Sequence, residues 1–312
     1  MAVAVLCGMP ALQADVTLRY KTEVKLNPAL PAAFAQQTTK GMAAAVPAET
    51  VLQLKDGKGY SSFGGYRSIT DFQKQELTLI DAENRRFTTA PADRFLDEYA
   101  KTIAELPAEA RAAIASMKVA AETRVTGRTA SIQGIEAEER EVVLTIEGPA
   151  LPNAPQGPMM RLVMQLWTAR DSETLRVPAI RELKGYNLYA YATMNPAGSL
   201  EKILRQMPGM GEGLAKVREG IQAANAALLR SHTTMFMPGL AAMLKQMPPG
   251  QTPFGADFDA DAPFLEINQE LAELSTAAIP AAAFQLPEGY QEAPLSELVH
   301  GMMAKSKAAA KQ

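Results

Sequence analysis

The sequence predicts an α+β fold built on a long antiparallel β-sheet with helical segments inserted between its strands. Three observations predict it. Residues alternate strictly between apolar and polar in DVTLRYKTEVKLN from Asp15, and short β-like runs follow, broken by Asp56-Gly57 and Gly64-Gly65. After Pro91 and again after Asn195 the apolar spacing changes to three and four residues, the helical period. The balance of 47% hydrophobic and 21% charged residues suits a packed core, which excludes a disordered chain or a multispan membrane protein.

The first fourteen residues, MAVAVLCGMPALQA, carry no charge and read as the apolar part of a secretory signal ending at Ala14. The run is too short for a membrane span, which needs about 20 apolar residues. A periplasmic or secreted, extracytoplasmic location is therefore expected. No basic residue precedes the run, so the true start is expected upstream of Met1. Leu6 before Cys7 is too bulky for a lipoprotein signal, so no lipid anchor is expected. Cys7 is the one cysteine, and a chain beginning near Asp15 has no thiol nucleophile, disulfide or thiolate metal site.

The first strand places Val16, Leu18, Tyr20, Thr22, Val24 and Leu26 on one face, with Thr17, Arg19, Lys21, Glu23 and Lys25 on the other. The Ala-rich stretch from Pro28 to Val46, with Leu30, Phe34 and Met42, is expected to form a short helix or lid. Thr50 to Thr89 reads as a meander of hairpins with Leu77, Leu79, Ile80 and Phe87 in the core. Pro91 opens a helix whose apolar face carries Phe95, Tyr99, Ile103 and Leu106, and Pro107 breaks it and begins a second helix reaching Met117.

A second β block runs from Val119 to Glu147, where Val125, Ile132, Val142, Leu144 and Ile146 alternate around Gly127 and Gly134. Its acidic pair Glu138-Glu139 is expected on a solvated face. Met159 to Thr168 is a further strand containing Trp167. From Asn195 to Pro249 a long helical insertion is expected, divided at Pro208-Gly209 and Pro238-Gly239. Leu214, Val217, Ile221, Leu228 and Met235 trace one apolar face along it and are the candidate ligand-binding residues. Pro263 to Thr276 is the final β segment, leading to Phe284, Leu286 and Tyr290. Residues 15–303 thus form a single domain with helical insertions near 92–117 and 197–247, and 304–312 form a flexible tail.

A net charge of −3 and a pI near 5.6 leave no electrostatic footprint for nucleic acid. The two histidines, His232 and His300, each precede a methionine by three residues, Met235 and Met303. On a helix, His232 with Met235 could hold a soft ion such as Cu(I), but 16 methionines make the coincidence cheap and a structural histidine is favoured. Gly209, Gly211 and Gly213 lack the strand and following residues of a phosphate loop and read as a hinge. Asp257, Asp259 and Asp261 start like a calcium loop, yet Ala262 and Asn268 stand where its glycine and glutamate belong. No nucleophile elbow is present. Neither an enzymatic activity nor a cofactor is expected.

Taken in order, the strand after the signal, TDFQKQELTLIDAENRRFTTAP, VTGRTASIQGIEAEEREVVLTIEG, MRLVMQLWTARD and ELSTAAIPAAAFQLPEGYQEAPLSEL give a chain that resembles a bacterial periplasmic superfamily. This is the half-barrel superfamily of lipoprotein-localisation factors, the LolA, LolB and LppX type. The resemblance implies a curved antiparallel half-barrel with its concave face covered by helices, and a non-enzymatic protein binding lipid or the acyl chains of a lipidated partner. The competing expectation is an envelope interaction module whose concave face is filled permanently by its own helices. The two segments near 92–117 and 197–247 are the expected covers.

Overall fold

The computed structural model describes residues 15–32, 35–36, 38–39, 46–63, 65–104, 117–148, 157–194, 227–240, 242, 259 and 262–302. Among these residues twelve strands form one open, curved sheet: β1 (Val16–Leu26), β2 (Glu49–Lys55), β3 (Lys58–Phe63), β4 (Tyr66–Asp71), β5 (Glu76–Asp81), β6 (Arg86–Pro91), β7 (Lys118–Ile132), β8 (Ile135–Glu147), β9 (Pro158–Ala169), β10 (Leu228–Phe236), β11 (Leu265–Ser275) and β12 (Gln291–Glu292). Their spatial order is β12-β6-β5-β4-β3-β2-β1-β11-β10-β9-β8-β7, so two meanders meet where β1 pairs with β11. Every pairing is antiparallel except the short parallel contact of β12 with β6.

The tight turns follow from residues that tolerate a left-handed backbone. Asp56 (φ 47°) and Gly57 (φ 74°) join β2 to β3, and Gln133 (φ 51°) and Gly134 (φ 73°) join β7 to β8, the two-residue turns whose twist matches paired strands. Helices α1 (Ala92–Ala104), α2 (Asp171–Arg176) and α3 (Pro178–Met194) lie between strands, and a further helix covers 295–302.

The alternation of β1 puts its even-numbered side chains on the inner face. Val16 and Leu18 are fully buried there, in one core with Leu52, Leu54, Leu229 and Leu271. Helix α3 fills this end: Ile180, Leu183 and Tyr186, spaced by three, pack into the same core. Gly59 lets α3 approach β3, because a Cβ at that position would stand 2.7 Å from the Tyr186 ring. From the 92–104 helix, Phe95 packs against Tyr66, Leu79 and Leu298. The side chains of Tyr99 and Ile103, like the expected helix from Pro107 to Met117, lie outside the described residues.

After β11 the chain wraps the first meander. Ile279, Phe284 and Tyr290 pack on Ile69, Ile80, Tyr60 and Phe87 on the outer face, β12 closes the edge of β6, and Leu298 and Met302 return to the inner face. The wrap is pinned at Asp15, whose carboxylate accepts from Lys55 Nζ (2.8 Å) and from the Ile279 N–H (2.6 Å), while Lys55 also donates to the Ile279 carbonyl.

Two sequence expectations are corrected. The segment read as helix around Leu228 and Met235 is strand β10, in which Leu229, Ser231, Thr233 and Met235 alternate with Arg230, His232 and Thr234 and pair on both sides with β9 and β11. Thr233 and Thr234 are β-branched, and cross-strand packing decides their conformation. Glu139, expected on a solvated face, is fully buried. The cause is a bulge in β7: Val125 pairs with Arg140 and Thr129 with Glu138, so residues 126–128 stand opposite Glu139 alone, and Arg128 folds over it as its ion-pair partner. Helices α2 and α3 carry no sequence expectation and emerge only in the structure.

Candidate functional site

The inner face changes character along β1. Val16, Leu18 and Tyr20 meet α3, whereas Thr22, Val24 and Leu26 line a cavity of about 510 Å³. The Tyr20 phenol marks the boundary, donating to the Leu228 carbonyl at 2.9 Å, and burial pushes its pKa up. Pro28, Leu30, Ala35, Thr39 and Val46, from the stretch after β1, line its other side. Asn27 starts this stretch: its side-chain oxygen accepts from the Ala29 N–H at 2.9 Å, and its own N–H is tied to the Phe264 carbonyl at 3.0 Å. Ala35 donates to the Pro31 carbonyl in a first helical turn, and Leu30 and Ala35 pack with Val24, Leu26, Leu265, Ile267 and Met235.

Among the described residues, those that line this cavity are uncharged: Thr22, Asn27 and Thr39 are its polar members, and the rest are apolar. Register continues the apolar rows beyond the cavity, with Leu265, Val142 and Ala121 buried along them. Leu26, Leu265, Met235, Leu162, Leu144 and Ala121 form one cross-strand row on the same face, and Val24, Ile267, Thr233, Met164, Val142 and Thr123 form the next. Such a six-strand row spans roughly 24 Å at about 4.8 Å per step. Leu144, Leu162 and Met164 along these rows are half-buried.

The outer face is chemically opposite. A groove of about 590 Å³ runs between two rows that include Lys21, Glu270 and Arg230 in one and Glu23, Asn268 and His232 in the other. Arg230 makes a double contact with Glu270, each at 2.9 Å, and its guanidinium lies 5.9 Å from the Trp167 ring centre. His232 is held at both ring nitrogens, by Asn268 Oδ1 and by Thr234 Oγ1 at 3.0 Å.

Of the five candidate ligand residues, Leu214, Val217 and Ile221 lie outside the described residues. Met235 is on the inner apolar face beside the cavity, and Leu228 stands at the start of β10, where a bulge shifts the pairing. The helical geometry that joined His232 to Met235 does not exist: three residues apart on a strand, they point to opposite faces, so no shared ion site is possible. His300 contacts the Ser296 carbonyl at 2.6 Å. Glycines 209, 211 and 213, read as a hinge, lie outside the described residues, as do Asp257 and Asp261. The cavity residues Leu30, Ala35 and Val46 were legible only as an Ala-rich lid, with nothing to say what lay beneath it.

No helix among the described residues is long and apolar enough to cross a membrane. No family model and no curated protein matches the chain. Among solved structures, a structure of PNGF-II in the C2 space group is similar at 11% identity and a TM-score of 0.33, over 94% of this chain and 33% of that one. The chain spans about a third of the length of that structure, and at this score the likeness carries no argument. The functional reading rests on the cavity and its lining.

Proposed function

We propose that this chain is an extracytoplasmic, non-enzymatic carrier that holds the hydrocarbon of a lipid or lipidated partner on its inner face. The observation that carries the reading is the cavity beside β1, uncharged among its described lining residues and continuous by register with apolar rows across β11 to β7. Its volume of about 510 Å³ falls within the roughly 300–1,000 Å³ common for small-molecule sites. A lining whose described residues carry no charge favours methylene groups and disfavours a bare ion. The likeness of strand pattern to lipoprotein-localisation factors belongs to this proposal, as does export, with a mature N-terminus at or near Asp15.

A second reading has its own support in α3, which fills the other end of the same face with Ile180 and Leu183 nearly inaccessible to water. If the whole face were sealed in this way, the protein would be an interaction module of the envelope. Native mass spectrometry of freshly purified protein and titration of the delipidated protein with a lipophilic fluorescent probe separate the two. The carrier reading expects a discrete lipid adduct and saturable uptake. Ala48→Trp, at an exposed residue lining the cavity, is expected to weaken probe binding about tenfold while leaving the fold intact. Bare protein with no saturable uptake after delipidation would overturn the carrier reading in favour of the module.

A further inference from the structure

The two edges of the sheet are finished differently. At one edge β12 caps β6 for two residues and the chain then turns into the 295–302 helix. At the other stands β7, 15 residues long, whose only strand partner among the described residues is β8. A long edge strand presents a row of N–H and C=O groups that another strand can pair with.

We propose that β7 is a self-association edge, through which two copies of this chain pair antiparallel over residues 121–125 about a two-fold axis at Thr123. A two-fold interface sets residue i against j and j against i, and paired side chains must share a face, so the axis must pass through a residue. An axis at Glu122 or Arg124 sets like charges against themselves, and an axis at Ala121 sets Lys118 against Arg124. The axis at Thr123 sets Glu122 against Arg124 in both directions, two attractive cross-strand pairs. An axis at Ala120 also pairs opposite charges, Lys118 with Glu122, but sets Val125 against residue 115, ahead of the strand.

Val125 supports the Thr123 register. It is 60% exposed, among the few large apolar side chains so exposed on the described surface, and this register lays Ala121 of the second copy beside it. Arg124 is ready for a second carboxylate. Its Nε and Nη2 both reach Glu141 Oε1 at 2.9 Å, yet its side chain is 72% exposed. The bulge after Val125, with Gly127 at φ 77°, stops the ladder and limits the seam to about five residues a side. Such a seam gives a reversible dimer whose outer ends are both capped by β12, so the assembly closes at two copies.

Sedimentation velocity of the full chain over a range of concentrations, with hydrogen exchange of residues 121–125, tests this. A concentration-dependent dimer is expected, with slower exchange at these amides as it forms. Glu122→Arg, at an exposed residue, turns two attractive pairs repulsive and should raise the dissociation constant about tenfold or more. Val125→Lys should weaken the dimer as well, and the charge swap Glu122→Arg with Arg124→Glu should restore it. A monomer at every concentration would overturn the proposal. So would a dimer indifferent to Glu122→Arg, or a folded charge-swap protein that stays monomeric.

Discussion

The β2–β6 meander and the β7–β10 meander are built from antiparallel strands of alternating residues, yet among the described residues only the first has the chain folded back around it. Ile279, Phe284 and Tyr290 pack on one of its faces, Phe95, Leu298 and Met302 pack on the other, and β12 pairs with its edge. The second meander keeps Leu144, Leu162 and Met164 half-buried on the inner face, and β7 ends the sheet with most of its residues exposed. Equal strand patterns therefore do not imply equal burial. What closes a sheet is the segment that returns to it, and here the return comes from the stretch after β11.

The largest expected effect lies where the two meanders meet. Leu18→Asp buries a carboxylate among Val16, Leu52, Leu271 and α3, and should cost more than about 4 kcal/mol in urea unfolding. Arg19→Ala, one residue along, points to the outer face between Glu49 and Glu273 and should cost far less. Equal losses would break the assignment of faces from which the comparison starts.

A matched pair tests the comparison itself. Leu79→Ala, in the wrapped meander at 4% exposure, should cost about 3 kcal/mol, whereas Met164→Ala on the half-buried face of the second meander should cost about 1 kcal/mol. A loss at Met164 as large as that at Leu79 would mean the second face is sealed too. That outcome favours the permanently filled module over the carrier.

The smallest expected effect concerns the wrap and acid. The Lys55 ammonium and then the Ile279 N–H hold the Asp15 carboxyl below its ordinary value of 3.8. A lowered folded pKa gives stability that is fully present above pH 3.8 and lost as pH falls below it through the folded value. Asp15→Asn has already lost that contribution, so its stability should fall less on acidification than that of the wild type. Glu173 beside Arg176 and Glu297 beside Arg86 are also held low and supply acid sensitivity common to both proteins. Identical acid profiles for the two would show that the Asp15 clasp does not hold the wrap.

The sequence by itself determined the local rules. Alternation in β1 placed Leu18 inside and Arg19 outside, Asp56-Gly57 and Gly134 placed tight turns, and the period change after Pro91 placed α1. These signals are legible because each depends on a residue and its near neighbours. Tertiary structure alone decided the rest. Leu228 and Met235 are seven residues apart, which also fits two turns of a helix, and only pairing with β9 and β11 makes the segment a strand. Glu139 is buried because a bulge on the neighbouring strand swings Arg128 across it, an event that nothing in Glu138-Glu139 encodes. The division of one apolar face into an end filled by α3 and an end holding a cavity is likewise invisible in β1, where both ends alternate alike. Alternation says which side chains leave water, and the partners brought from distant parts of the chain decide whether protein or an open cavity receives them.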